Sequence, residues 1–314
     1  MFKFQNFIFR NLLYQHFLKK YQIVLFLLAL FMNVNHCNAL EENSYFIGHA
    51  YGAHGNDSVP DESLKNFLIK EPANFILFGG DVTENENDFE KFYGYFKDTN
   101  HLIVRGNHDK DLYTKIPYWK TKKIKGTTIY NLDMNADMQF NIDSLKSFNH
   151  SIIAQHYLWY LRIFSDQSNN YSLFDKLILK LKSWSFSQRK MKYRKIPIAN
   201  SMYGAKILEY KDIKQINFGK KNIYLAGDCG AFDESFPYVK SYFKENTFIC
   251  SGIGSGWGNN VVSLNTLEPI FFDNYGNIIS HTCETKVGNF NNQIEFCLPI
   301  NDKAKILWKK LNKF

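Results

Sequence analysis

The chain has 314 residues, of which 45% are hydrophobic and 22% are charged. These proportions exclude an intrinsically disordered chain and are typical of a globular protein with a sizeable core. The formal net charge of +8 includes four basic residues in the first 39 positions, where no acidic residue occurs. The remainder carries 34 basic and 30 acidic residues. We therefore expect no nucleic-acid partner from charge alone.

Residues 1–39 have the pattern of a secretory signal peptide. Basic residues precede the apolar run "IVLFLLALFM" (23–32), and a small residue, Ala39, stands at the expected cleavage point. The run is shorter than the roughly 20 residues that span a bilayer. We predict a protein exported to the periplasm or the extracellular space, with a mature domain over residues 40–314. The alternative is a membrane anchor through residues 20–36.

Export would allow disulfide bonds among the cysteines that follow residue 39. Those cysteines are Cys229, Cys250, Cys283 and Cys297. Four cysteines allow three connectivities, and the sequence does not choose among them. Cys283 and Cys297 flank a hairpin-like stretch, so they are the first pair that we expect.

From residue 44 onward, short apolar runs alternate with amphipathic stretches. The apolar runs predict buried strands at 45–48, 74–79, 101–106 and 151–156. Helical spacing of apolar residues predicts helices at 61–71 and 87–97, with a weaker helix at 141–149. Strands that alternate with helices indicate an α/β unit with parallel pairing.

After residue 200 the pattern is mostly that of strands. We predict them at 221–228, 247–252, 260–280 and 292–299, with a hairpin turn at "DNYGN". No repeat or low-complexity linker interrupts the chain, so we expect one domain.

Residues 157–200 do not fit this scheme. An apolar helical face over 173–184 is followed by the basic run "SQRKMKYRK" (187–195). We predict a helical, basic insertion or cap within the domain. Such a helix suits either packing on the domain or peripheral contact with an anionic membrane.

Polar side chains follow each predicted buried strand. "FGGD" ends in Asp81, and "RGNHDK" supplies Asn107, His108 and Asp109. His156 stands in "AQHY" and Asp228 in "AGDCG". In isolation Gly-Gly-Asp reads as a turn. Because ligands gather at the carboxyl ends of strands in α/β proteins, the set together predicts a metal site there.

These motifs resemble those of the calcineurin-like metallophosphoesterases over roughly residues 44–255. That family shows D-x-H, GD, GNH followed by D or E, a lone His, and G-H-x-H, each at a strand end. The resemblance implies a four-layer α/β/β/α sandwich of two mixed sheets. It also implies hydrolysis of a phosphate mono- or diester by metal-bound hydroxide. The cofactor would be one or two divalent ions, such as Mn, Fe, Zn or Mg.

The resemblance assigns roles residue by residue. Asp81 would bridge two metals, while Asn107 and His156 would bind the second. His108 would face the scissile phosphate and protonate the leaving group, with Asp109 orienting it. Asp228 stands where a metal-binding His is usual, and a carboxylate can replace an imidazole at a divalent site.

The first metal site departs from the family pattern. In "GHAYGAHG" (48–55), His49 and Tyr51 stand where the family has Asp and His, and Gly230 replaces another usual ligand. His54 is a candidate substitute ligand. One-metal chemistry therefore stays open as an alternative.

Three functions are compatible with these observations. The first is an exported phosphoesterase whose substrate is a phosphate ester, such as an envelope lipid or glycan phosphate. The second is a non-catalytic phosphate- or ligand-binding protein with a degenerate metal site. The third is a structural envelope protein that holds anionic lipid through its basic insertion.

Overall fold

A computed structural model gives the structure of the chain, which divides into two compact units, Met1–Asn38 and Ala39–Phe314. All secondary structure given below lies in the second unit. The residues that the structure describes are 40, 43–48, 50, 59–83, 85–106, 109, 112, 114–132, 142–157, 196–197, 207–208, 217–228, 237–251, 259–287 and 293–300. Among them, no helix is both long and apolar enough to cross a membrane.

The described strands form two large mixed sheets and one small ladder. In chain order they are β1 (Ser44–Ile47), β2 (Phe75–Phe78), β3 (His101–Ile103), β4 (Thr121–Ile124), β5 (Thr127–Asn131), β6 (Ser151–Tyr157), β7 (Ile196–Pro197), β8 (Ile207–Leu208), β9 (Ile223–Asp228), β10 (Tyr238–Phe243), β11 (Asn246–Ser251), β12 (Asn259–Ser263), β13 (Pro269–Phe272), β14 (Ile278–Ile279), β15 (His281–Val287) and β16 (Gln293–Pro299).

The first sheet has the order β14-β13-β12-β1-β2-β3. Strands β1, β2 and β3 run parallel, and β12 joins β1 in antiparallel pairing. The second sheet has the order β15-β16-β10-β11-β9-β6-β5-β4. Its centre, β11-β9-β6-β5, is parallel, and the outer strands are antiparallel. Each sheet thus has a parallel region whose strands share one carboxyl end.

Helix α1 (Glu62–Lys70) connects β1 to β2. Asp61 caps its start, accepting hydrogen bonds from the Ser63 and Leu64 amides at 2.9 and 3.3 Å, which satisfies donors that lack a partner within the helix. Its apolar face is buried on the first sheet, where Phe67 stacks on Phe272 with ring centroids 4.6 Å apart.

Helix α2 (Glu86–Phe96) connects β2 to β3 and begins at the capping residue Asn85. Phe89, Phe92 and Phe96 are buried at helical spacing. Phe92 and Phe96 both meet Phe78 edge-on, at 5.0 and 4.9 Å. Aromatic packing of this kind fixes both helices on the outer face of the first sheet.

A second core lies between the two sheets. From the first sheet it takes Phe46, Phe75 and Leu77, and from the second it takes Ile152, Ala154, Ile223, Leu225 and Ile249, all of them buried. Alternate residues of each strand thus face the other sheet, as the period of two requires. The predicted pair of mixed sheets is confirmed.

Several predictions need correction or extension. The weak helix expected at 141–149 is instead a 3₁₀ helix, Ile142–Ser147. The predicted helical insertion is not confirmed: within 157–200 the structure describes only Tyr157, which ends β6, and β7. The 173–184 helix and the basic run lie outside the described residues, so membrane contact through them stays a prediction. Strands β4, β5, β7, β8, β10 and β15 were not predicted.

The expected disulfide between Cys283 and Cys297 is confirmed. The two residues lie directly opposite each other on β15 and β16. Cys250 is also disulfide-bonded. A disulfide closing a short loop stabilises mainly by restricting the unfolded chain.

The carboxyl ends of the two parallel regions touch through glycines. A Cβ on Gly79, which follows β2, would lie 2.7 Å from the Cα of Gly227 in β9. A Cβ on Gly227 would lie 2.3 Å from the Gly79 carbonyl oxygen. Because backbone meets backbone here, neither position has room for a side chain.

We expect Gly227→Ala to lower the free energy of unfolding by about 1–3 kcal/mol, which is the usual cost of overpacking a rigid contact. The control is Gly94→Ala in α2, where a Cβ would meet nothing within 4 Å. That variant should gain roughly 0.5–1 kcal/mol, since alanine is the better helix former. Urea denaturation followed by circular dichroism measures both. A Gly227→Ala protein as stable as the wild type would contradict the contact.

Candidate metal centre

Asp81 lies at the end of the turn that follows β2. Gly80 and Asp81 have φ values of 94° and 52°, both in the left-handed region. This region is costly for most residues, although aspartate adopts it more readily than bulky ones. Asp81 is only 1% exposed. The turn therefore keeps a carboxylate buried at the meeting point of the two sheets.

His156 comes from the other sheet, near the end of β6, and is fully buried. Its Nδ1 lies 2.8 Å from the Gly79 carbonyl oxygen. Since a carbonyl can only accept, Nδ1 carries the proton and donates it. In the neutral ring Nε2 then holds a lone pair, and it lies 3.2 Å from Asp81 Oδ2.

Two acceptor atoms thus face each other in a buried place. Either a proton makes His156 an imidazolium, or one cation binds both atoms. A backbone carbonyl that fixes the ring tautomer is the usual support of a metal-binding histidine. An imidazole nitrogen and a carboxylate oxygen together suit Zn, Mn or Fe. The residues present therefore fit a divalent metal.

Asp109 is fully buried beside this pair. Its Oδ2 accepts from the amides of Asp81 and Gly106 at 2.8 and 2.7 Å. Its Oδ1 accepts from the amides of Val82 and Thr83 at 2.8 and 3.3 Å. A single carboxylate thus ties the Asp81 loop to the loop that follows β3.

Burial, and after it the negative charge of Asp81, raise the pKa of Asp109 to about 7. The Gly106 amide, the positive charge of a protonated His156 and the Thr83 amide oppose this rise. Four N–H donors aimed at its oxygens are arranged for the ionised form, because a protonated oxygen would turn its own hydrogen toward one of them.

The loop after β3 approaches Asp81 closely. A Cβ on Gly106 would lie 2.0 Å from Asp81 Oδ1 and 2.3 Å from the Asp81 amide nitrogen. On the other side of the turn, a Cβ on Gly80 would lie 2.6 Å from His156 Nδ1. The position of the Asp81 carboxylate thus depends on two residues that have no side chain.

The structure brings together three of the predicted site residues, Asp81, Asp109 and His156. Asp228 ends β9, and its backbone pairs with Tyr157, the residue after His156. The two strand ends that carry His156 and Asp228 are therefore adjacent. The remaining predicted site residues lie outside the described residues: His49, Tyr51, His54, Asn107 and His108.

Reasoning from sequence missed the backbone contacts of Asp109. Its predicted role, orienting His108, stays a prediction. The missed contacts had a signal in the sequence, since Gly80-Asp81 and Gly106 both place glycine where two strand ends converge. Glycine at such a place marks a close approach of backbone.

In the part of the chain that the structure describes, one other group of metal-ligating side chains lies together. Its ligand atoms, from His281, Cys283 and Cys297, lie within 4.8 Å of one another. The two cysteines are joined in a disulfide and hold no free thiolate. This group is therefore not a metal site in the oxidised protein.

A family model described as calcineurin-like phosphoesterase matches residues 49–216, more than half of the chain. The chain belongs to the calcineurin-like phosphoesterase family. No curated protein sequence matches it. The matched range includes Asp81, the "RGNHDK" motif and His156, and it ends before Asp228. Membership confirms the predicted family and supports a metal-dependent phosphoesterase domain that uses divalent ions.

We expect His156→Ala to reduce bound divalent metal by at least about tenfold at equal free metal, because it would remove one of the predicted ligands. His150→Asn is the matched control: His150 precedes the same strand at its opposite end and is exposed. Elemental analysis of protein dialysed against Mn²⁺ measures both. Equal metal content in His156→Ala and wild type would remove His156 from the ligand set.

Proposed function

We propose that this protein is an exported, metal-dependent phosphoesterase that hydrolyses a phosphate mono- or diester. The observation that carries the proposal is the buried pair of Asp81 Oδ2 and His156 Nε2, 3.2 Å apart, with the imidazole held by the Gly79 carbonyl. Family membership supports the reaction class. The geometry supports a divalent ion as the group that the pair binds.

Asp81 and His156 would hold the ion, and Asn107 and Asp228 are the predicted further ligands. When bound, a divalent ion neutralises charge on a phosphoryl oxygen and lowers the pKa of water that it binds from about 15.7 toward 7. The chain's own contribution is to keep the ligands in place. Burial of both side chains excludes the bulk water that would otherwise weaken their electrostatic effect.

His108 is proposed as the general acid. It follows Asn107, a predicted metal ligand, directly in the chain. A positioned imidazole can give a proton to the leaving alkoxide, an effect typically worth about 10²- to 10⁴-fold in rate. Leaving groups that are already stable as anions need this proton least.

The first metal site is proposed to be weak or absent. His49 and Tyr51 replace the usual aspartate and histidine, and Gly230 offers no ligand. His54 is the candidate substitute. One ion at Asp81 and His156 is sufficient for charge neutralisation and water activation. The proposed substrate is the phosphate ester of an envelope lipid or glycan, in keeping with the proposed export.

The test is turnover of p-nitrophenyl phosphate and bis(p-nitrophenyl) phosphate by residues 40–314 with Mn²⁺. We expect hydrolysis that Asp81→Ala abolishes. His108→Ala should retain metal but slow alkyl esters by about 10²-fold or more, and slow p-nitrophenyl esters less. An equal loss for both leaving groups would contradict the role of His108.

The departures at the first site also favour a second function, a phosphate- or ligand-binding protein with a degenerate centre. The same assay separates the two. Bound metal and bound phosphate without turnover of either ester would favour the binding protein. Turnover that requires Asp81 would exclude it.

We propose further that residues 1–39 are removed on export. Support comes from the basic lead, the ten-residue apolar run and the small residue at position 39. Intact-mass measurement of protein from its native host should give a chain that starts near Leu40. A chain that retains Met1 in the membrane fraction would instead identify residues 20–36 as an anchor.

A further inference from the structure

The Asp109 carboxylate has a full set of backbone partners. An ionised carboxylate offers about four acceptor positions, and the four amides of Asp81, Val82, Thr83 and Gly106 supply four donors. Three of these amides belong to one loop and the fourth to another. The carboxylate therefore joins two loops that are separate in sequence.

Both loops carry predicted metal ligands. Asp81 is itself one of the four donors, and Asn107 follows Gly106 directly in the chain. The Asp81 backbone is held at φ 52°, a conformation that short loops do not adopt without support. The Asp109 hydrogen bonds supply that support from the protein alone, without any contact to a metal.

We propose that Asp109 is a positioning residue that sets the Asp81 and Gly106 loops in their metal-binding arrangement before metal binds. The proposal rests on the proposed function, and it replaces the expected role of Asp109 in orienting His108. The two roles predict different effects of excess metal on a variant that lacks the Asp109 carboxylate. A misplaced ligand weakens metal binding, which a higher metal concentration overcomes, whereas a misplaced general acid slows the bound complex at any metal concentration.

The test compares Asp109→Asn with Asp273→Asn. Asparagine keeps one acceptor oxygen but turns an NH₂ donor toward two backbone N–H groups. Asp273 also accepts two backbone amides, from Tyr275 and Asn277 at 2.8 and 2.9 Å, but in the β13–β14 hairpin at the edge of the first sheet. Calorimetric titration with Mn²⁺ should show a dissociation constant raised about 10–100-fold in Asp109→Asn. In Asp273→Asn it should stay within about twofold of wild type.

Activity against Mn²⁺ concentration gives the second readout. Asp109→Asn should regain most of the wild-type rate at saturating Mn²⁺. Wild-type Mn²⁺ affinity in a folded Asp109→Asn protein would overturn the proposal. So would a rate that stays low at saturating metal and depends on the leaving group.

If Asp109→Asn does not fold, hydrogen exchange of the metal-free wild type tests the proposal instead. The amides of Asp81, Val82 and Gly106 should be protected at least about 10²-fold more than exposed loop amides such as that of Asn274. Rapid exchange without metal would overturn the proposal. A wild type that binds no Mn²⁺ but protects these amides would instead count against the proposed function alone.

Discussion

The site depends on one hydrogen bond between the two sheets, from His156 Nδ1 to the Gly79 carbonyl oxygen at 2.8 Å. It fixes the imidazole so that Nε2, not Nδ1, faces Asp81. It forms only because β2 and β6 end at nearly the same place, with Gly79 against Gly227. Any side chain at that contact would separate the sheets and move the imidazole away from its acceptor. Fold and site therefore share one steric constraint.

The polar groups of the site are buried at this contact between the sheets, so each needs a partner that compensates for its lost hydration. Asp81, Asp109 and His156 are all buried, and an unpaired buried charge costs several kcal/mol. Asp109 is compensated by four backbone amides, since each N–H directed at a carboxylate offsets part of its lost hydration. The Asp81 carboxylate faces the Nε2 of His156, so its charge is balanced by a shared proton or by a cation. A carboxylate oxygen and an imidazole nitrogen, 3.2 Å apart, have the composition of a metal site.

Much of this arrangement could be predicted from the sequence, and the limits have physical causes. β1, β2, β6 and β9 were predictable because each is a short apolar run that ends in glycine or a polar residue, and Asp61 marked the start of α1. The hairpin of β4 and β5 was not, because β4 is an edge strand rich in exposed lysine and lacks an apolar alternation. The stretch around Leu145 has helical spacing but forms a single 3₁₀ segment, too short to nucleate an α-helix alone.

Among the site residues, Asp81 and His156 were identified by residue type at strand ends. The backbone partners of Asp109 were not identified, although Gly80 and Gly106 marked a close approach of backbone there.

The buried groups of the site lower the stability of the fold, and this cost bears on the choice between an enzyme and a degenerate binding protein. A left-handed aspartate, a buried carboxylate and imidazole pair, and a second buried carboxylate each cost stability, of order 1–3 kcal/mol for the backbone strain alone. The four backbone hydrogen bonds of Asp109 offset part of this cost, because they join two loops. A protein that bound an anion without a metal would be served better by positive charge than by two carboxylates, which repel phosphate. Two buried carboxylates beside an imidazole become favourable to a phosphate ester only when a cation stands between them and the substrate. This arrangement supports the proposed metal-dependent phosphoesterase, whose ion would stand between the two carboxylates and the phosphate ester.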